Sequence, residues 1–171
     1  MRAPQTSAAP SQRKRLGAWY TPVALVDHVV SRTVREGVTT VLDPACGEGA
    51  FLAGVRRAFG PSVHLVGVDV DAGAVAAARA ALPDAEIIHA DALSFDWGDR
   101  TFDAVVGNPP FLNQMATATT RGGRSRFGGG PYADTAAEFL ALSVSLARPD
   151  GGRVGLVLPQ SLLSARDAGP I

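Results

Sequence analysis

The sequence predicts an α/β protein: a doubly wound, mostly parallel sheet with helices on both faces. Three observations carry that expectation. Short, nearly continuous apolar segments recur along the chain, as strands buried on both faces require. Segments with helical periodicity alternate with them. Most of the apolar segments end in an acidic or amide residue, at the carboxyl ends of strands, where such sheets bind ligands.

The elements follow in order. Residues 1–16 are rich in Ala, Pro, Ser, Gln and basic groups without periodicity, and read as a disordered head. A helix is expected from Thr21-Pro22, with Thr as N-cap and Pro at the first helical position. Val26, Val29, Val30 and Val34 recur at helical spacing up to about Glu36, and Gly37 stops the run. Thr39–Asp43 is a short apolar strand, followed by the loop Pro44–Gly49 and a helix through about Phe59. Val63–Asp69 is a second strand; Ala72–Leu82 is an alanine-rich helix closed by Pro83. Glu86–Ala90 is a third strand, ending at Asp91. Phe102–Gly107 is a fourth, ending in Asn108-Pro109-Pro110-Phe111. After a Gly- and Arg-rich stretch over about 112–131, Thr135–Ala147 reads as a helix and Arg153–Leu158 as a fifth strand. Another helix is expected from near Ser161.

Composition bounds the function. The chain has 171 residues, 16 basic and 16 acidic, and is 46% hydrophobic, enough for one domain with a core and short for two. A formal net charge of zero gives no general argument for nucleic-acid or membrane binding, yet leaves room for a local basic patch. The single cysteine, Cys46, excludes an internal disulfide framework, and His28, His64 and His89 are too widely spaced for a legible zinc cluster. No apolar run approaches the roughly 20 residues of a spanning helix. Arg13-Lys14-Arg15 lacks the apolar stretch of a signal peptide, so a cytoplasmic protein is expected. Lysine occurs once among abundant arginine and alanine, a genomic bias that weakens any argument from a single arginine or glycine.

The residues just past the strands carry the chemistry. The first turn, Asp43-Pro-Ala-Cys-Gly-Glu-Gly49, leads into a helix N-terminus, which suits an anion. A Walker loop would also need a lysine, and the only one lies in the head. Asp43 and Glu48 would repel a pyrophosphate and suit a ligand bearing positive charge, such as the ammonium and sulfonium of S-adenosylmethionine. Against this stands the plainer reading that Gly47 and Gly49 serve only a tight turn. Asp69, about 20 residues beyond the glycine turn, can accept both hydroxyls of a ribose. Asp71 suits a cap for the next helix. Asp91 can accept an adenine amino N–H, or be a loop acid.

Asn108-Pro109-Pro110-Phe111 is the most informative segment. It can be a strand stopped by prolines, which donate nothing to a ladder. It can also grip an aromatic amine. The exocyclic amine of adenine is a poor nucleophile because its lone pair is delocalised into the ring. Two acceptors on its N–H bonds, the Asn108 side-chain oxygen and the Pro109 carbonyl, favour the tetrahedral form and stabilise charge developing on nitrogen. Pro109-Pro110 would hold the loop rigid, and Phe111 would stack on the base.

These residues resemble the amino-methyltransferases, and specifically the N6-adenine DNA methyltransferases of restriction–modification systems. The matching stretches are Gly17–Pro22 (GAWYTP), Asp43–Phe51 (DPACGEGAF), Gly67–Asp71 (GVDVD), Asp91-Ala92, Asn108–Phe111 (NPPF), Glu138-Phe139-Leu140 and Gly155–Gln160 (GLVLPQ). The resemblance implies a Rossmann-like S-adenosylmethionine-dependent methyltransferase domain over 17–171 that methylates the N6 amine of adenine in DNA. Thr21 and the Asp43–Gly49 loop, with Asp43, Ala45, Gly47 and Gly49, would hold the methionine end of the cofactor, which Tyr20 would also bind. Asp69 would bind the ribose and Asp91 the adenine; Val70, Ala92 and Asn108 would also bind the cofactor, with Phe139 packed near it. Asn108, Pro109, Pro110 and Phe111 would be catalytic, without metal. Cys46 matches a cysteine common in the family's loop and reads as a buried packing residue.

The resemblance also implies double-stranded DNA as partner, with the target adenine flipped out. Members continue past the fifth strand with two more strands and a domain that reads DNA. This chain stops at Ile171, so a C-terminally incomplete sheet with an exposed edge is expected, with target recognition by a missing domain or a separate subunit. Arg121, Arg124 and Arg126 suit phosphate contacts beside the site or a merely solvated loop. The alternatives are a non-catalytic or partner-dependent cofactor-binding fragment, and the same chemistry on guanine of RNA or on a protein glutamine. A dehydrogenase is distant because the dinucleotide glycine pattern is absent.

Overall fold

The computed structural model describes residues 21–110, 135–160 and 162. Five strands form one sheet in the order β3-β2-β1-β4-β5, with every neighbouring pair parallel. β1 (Thr40–Asp43) is central. β2 (His64–Asp69) and β3 (Glu86–His89) extend one side, β4 (Ala104–Gly107) and β5 (Arg153–Leu156) the other. The helices are α1 (Val23–Thr33), α2 (Ala50–Phe59), α3 (Ala72–Ala81) and α4 (Thr135–Leu146).

Alternation along the strands produces two cores. Val41, Leu65, Ala104 and Val106 pack on one face with Val26, Val29 and Val30 of α1, Leu52 and Val55 of α2, and Val75 and Ala78 of α3. Leu42, Val66, Val68 and Val105 point the other way, onto Phe139, Leu142 and Leu146 of α4 and onto Leu93, Trp97 and Phe102. The sheet is therefore doubly wound, as the apolar runs predict. Burying each valine, leucine or phenylalanine among these contributes about 1.5–3 kcal/mol.

The chain builds outward from β1 to β3, then restarts on the other side of β1 with β4. That reversal sets the carboxyl ends of β1 and β4 side by side, with Leu42 opposite Val105, at the switch point where sheets of this topology bind ligands.

Helix α1 departs from its sequence reading at both ends. Pro22, with ψ 141°, is the N-cap rather than the first helical residue, and Thr21 makes no cap; the helix begins at Val23. At its C-terminus Val34 turns extended, so the helix stops at Thr33 instead of near Glu36, while the Val34 N–H still bonds Val30 and its side chain stays in the core. β4 starts at Ala104 because Phe102 instead bridges Ala147, its N–H bonding the Leu146 carbonyl. The expected head, and the helix from near Ser161, lie outside the described residues apart from Leu162. Among the described residues no helix is long and apolar enough to cross a membrane.

Candidate cofactor and amine site

The loop after β1 is fixed from three directions. Asp43, at the end of β1, is 1% exposed and its Oδ1 accepts the Ala45 N–H at 3.1 Å. The Cys46 N–H bonds the Val68 carbonyl of β2 at 2.9 Å. The Gly47 N–H donates to Asp69 Oδ2 at 2.8 Å. Gly47 and Gly49 both have positive φ, 53° and 89°, so glycine suits both positions sterically. α2 starts from Gly49 with no side-chain cap, leaving its first N–H groups for an anionic group. Cys46 is buried, and burial followed by the charges of Asp43 and Asp69 pushes its thiol up; it packs in the core beneath the loop, as its reading expects.

Burial also governs Asp43. Desolvation, opposed by the Ala45 N–H and reinforced by the charge of Asp69, pushes its pKa up to about 8. A carboxyl in this setting keeps its proton at neutral pH until a cation is placed against it. From sequence it is an acid suited to a positively charged ligand; the structure buries it at the end of β1.

Asp69, half-buried at the end of β2, uses both oxygens locally: Oδ2 for Gly47 and Oδ1 for the Asp71 N–H at 2.9 Å. Asp71 caps α3, accepting from Gly73 and Ala74 at 2.8 and 2.9 Å, as its spacing predicts. Val70 between them is exposed, and the His89 ring nitrogen holds its carbonyl at 3.0 Å. Asp91 Oδ1 accepts the Leu93 N–H at 3.0 Å, while Ala92 is buried and its carbonyl takes the Trp97 indole N–H. Phe139 lies in the core cluster against which Ala45 packs.

Across the switch point, Asn108 follows β4. Its Nδ2 donates to Thr21 Oγ1 at 3.1 Å, and its Oδ1 is buried with no hydrogen-bond partner. Pro109 is fully buried and Pro110 half-buried, so the turn is held rigidly. Asp43, Asp69, Asp91 and Asn108 thus lie at or just past the carboxyl ends of β1, β2, β3 and β4, and Thr21 joins them through Asn108. Tyr20, Phe111 and the arginines at 121, 124 and 126 lie outside the described residues.

Two residues escaped the sequence reading. A Cβ built at Gly107 would lie 2.7 Å from Asp43 Oδ1, so glycine there admits the carboxyl. A glycine inside an apolar strand is a signal of close approach that the spacing already offered. His89, at the end of β3 and two residues before Asp91, steadies the Val70 peptide.

Comparison with known proteins gives the family. The chain is 30% identical over 173 residues to the Type II methyltransferase M.TthHB8I of Thermus thermophilus, covering 90% of this chain and 37% of that protein. It is 27% identical over 160 residues to the Type II methyltransferase M.CvrRI of a Paramecium bursaria Chlorella virus, covering 91% and 39%. The chain therefore spans less than two-fifths of the length of these relatives. Its fold matches the type I restriction-modification system methyltransferase subunit from Streptococcus thermophilus with a TM-score of 0.70, at 22% identity, over 89% of this chain and 37% of that one. Residues 6–169 match the N-6 DNA Methylase family, and the chain belongs to that family.

Proposed function

We propose that the chain forms the cofactor and amine site of a methyltransferase that uses S-adenosylmethionine to methylate the N6 amine of adenine in DNA, within a restriction–modification system. The observation that carries this reading is the Asn108 side chain, its nitrogen engaged by Thr21 and its oxygen buried and unmet at the switch point. A buried acceptor without a partner is the group a substrate amine would satisfy.

The residues fit the cofactor. Asp43, buried at the end of β1, has a carboxyl that a cation would ionise, matching the ammonium of the methionine end, which Thr21, Tyr20 and the Ala45–Gly49 loop would also hold. Asp69, with Val70 beside it, would take the ribose, and Asp91 with Ala92 the adenine. When bound, the cofactor supplies an electrophilic methyl group on a positively charged sulfur. Asn108 Oδ1 and the Pro109 carbonyl accept the two N–H bonds of the target amine, raising its nucleophilicity and stabilising charge on nitrogen. Phe111 stacks on the flipped base. The catalytic part is read as 17–171, with DNA reading by a further domain or a specificity subunit; the likeness in fold to a type I restriction-modification methyltransferase subunit supports the latter.

The experiment is calorimetry with S-adenosylmethionine, followed by incubation with DNA lacking adenine methylation and mass spectrometry of the digested nucleosides. N6-methyladenine from the wild type, lost in Asn108→Ala with cofactor binding kept, is the expected result. Failure of the wild type to bind the cofactor overturns the reading. Loss of cofactor binding in Asn108→Ala would make the turn structural.

A further inference from the structure

Thr21 and Asn108 are 87 residues apart and meet through a single side-chain hydrogen bond, Nδ2 to Oγ1 at 3.1 Å. Each stands directly before a proline, Pro22 and Pro109, which disfavours helical backbone at both and limits their freedom. Thr21 is buried, and it caps no helix, so its hydroxyl is not committed to α1.

A side-chain amide has two orientations related by a half-turn. In one, the oxygen is left for a substrate amine. In the other, two N–H donors face the N–H bonds of that amine, and neither can bond. Only the first is productive. We infer that the Thr21 hydroxyl is a positioning group for the reaction: by accepting Asn108 Nδ2 it holds the amide with Oδ1 turned away from Thr21 and ready for the incoming amine. The observed arrangement has that form, with Nδ2 spent on Thr21 and Oδ1 buried and unmet. The inference rests on the proposed role of Asn108 and adds a second duty to Thr21, whose proposed contact with the cofactor would not by itself affect the amide.

Two measurements test it. The first is hydrogen exchange of the Asn108 side-chain amide protons by NMR, in the cofactor-free chain. One Nδ2 proton is expected to exchange slowly in the wild type and in Thr21→Ser, and to lose that protection in Thr21→Val, which keeps shape but not the hydroxyl. Equal protection in Thr21→Val overturns the inference, whatever the chain's activity.

The second is a double-mutant cycle on methyl transfer at saturating cofactor. Thr21→Val should lower kcat roughly tenfold, the scale of one hydrogen bond, and Thr21→Ser should recover most of it. Asn108→Asp presents two acceptor oxygens and has no wrong orientation, so Thr21→Val in that background should cost about twofold or less. A tenfold loss in both backgrounds would place the effect of Thr21 elsewhere. Failure of the wild type to bind cofactor would overturn the proposed function while leaving the amide-exchange result to judge the hydrogen bond itself.

Discussion

The carboxyl of Asp43 occupies the space that a side chain at position 107 would need: a Cβ there would lie 2.7 Å from Oδ1. The two residues end adjacent strands at the centre of the sheet, so the first strand's acid and the fourth strand's glycine are one packing unit. Gly107→Ala should therefore destabilise the chain by about 1–3 kcal/mol through overpacking. It should also weaken cofactor binding. Denaturant unfolding of Gly107→Ala in wild-type and Asp43→Ala backgrounds checks the cause. A smaller penalty with Asp43→Ala is expected, and an equal one would contradict the packing argument.

Stability should fall with rising pH across a defined window. Burial, opposed by the Ala45 N–H and aided by Asp69, pushes Asp43 up to about 8, whereas an unfolded aspartate titrates near about 3.9. Between these values the folded chain holds a proton that the unfolded chain has released. The stabilisation is complete below the lower value and disappears as pH rises through the upper one. Urea unfolding from pH 5 to 8 should show a decline that Asp43→Asn lacks; parallel profiles would refute it. On the proposed seating of the cofactor's ammonium against Asp43, which favours the carboxylate, affinity for S-adenosylmethionine should rise over the same interval.

Asp69 ties the glycine turn to the second strand by accepting the N–H groups of Gly47 and Asp71 at 2.8 and 2.9 Å. Asp69→Ala leaves both donors without their partner, and should lower cofactor affinity at least tenfold while costing about 1–3 kcal/mol of stability. Asp69→Asn, which keeps one acceptor, should fall between. Calorimetry and thermal unfolding of the two variants read these effects separately.

At the opposite end of the sheet, Asp103 Oδ2 accepts the N–H and hydroxyl of both Thr39 and Thr40, and Oδ1 pairs with Arg148. Burial raises its pKa, but the Thr39 and Thr40 bonds and Arg148 outweigh that and hold it below the usual carboxylate range. This stability is present above the unfolded value and is lost as pH falls through the folded one. Asp103→Ala should cost roughly 2 kcal/mol at neutral pH, with the difference from wild type shrinking on acidification. A difference that persists unchanged at pH 2 would show that packing, not charge, is responsible.

Much of this was legible because two periodicities rarely conflict in a parallel α/β chain. Each strand expected from an apolar run lies within two residues of its observed place, and Asp43, Asp69, Asp91 and Asn108 fall at the expected carboxyl ends. What sequence could not supply is what topology creates. The Thr21–Asn108 bond joins positions 87 residues apart, and nothing local in either segment announces the other. Thr21 before Pro22 has the composition of a helix cap, and only the tertiary contact gives its hydroxyl a different use. Asp43 reads as an ionised acid at a strand end, yet the strands on both sides and Gly107 bury it, and burial removes its expected charge at neutral pH.

The unmet oxygen of Asn108 has a consequence for engineering. A buried acceptor with no partner costs a folded chain roughly 1–3 kcal/mol, and an apolar residue of similar size would avoid that cost. Sequences chosen only for heat resistance would therefore drift toward filling position 108 and, on the proposed function, the hardiest versions of this scaffold would lack their amine acceptor. Directed evolution toward the proposed activity needs selection on methylated product in every round, because thermal screening by itself rewards replacing Asn108.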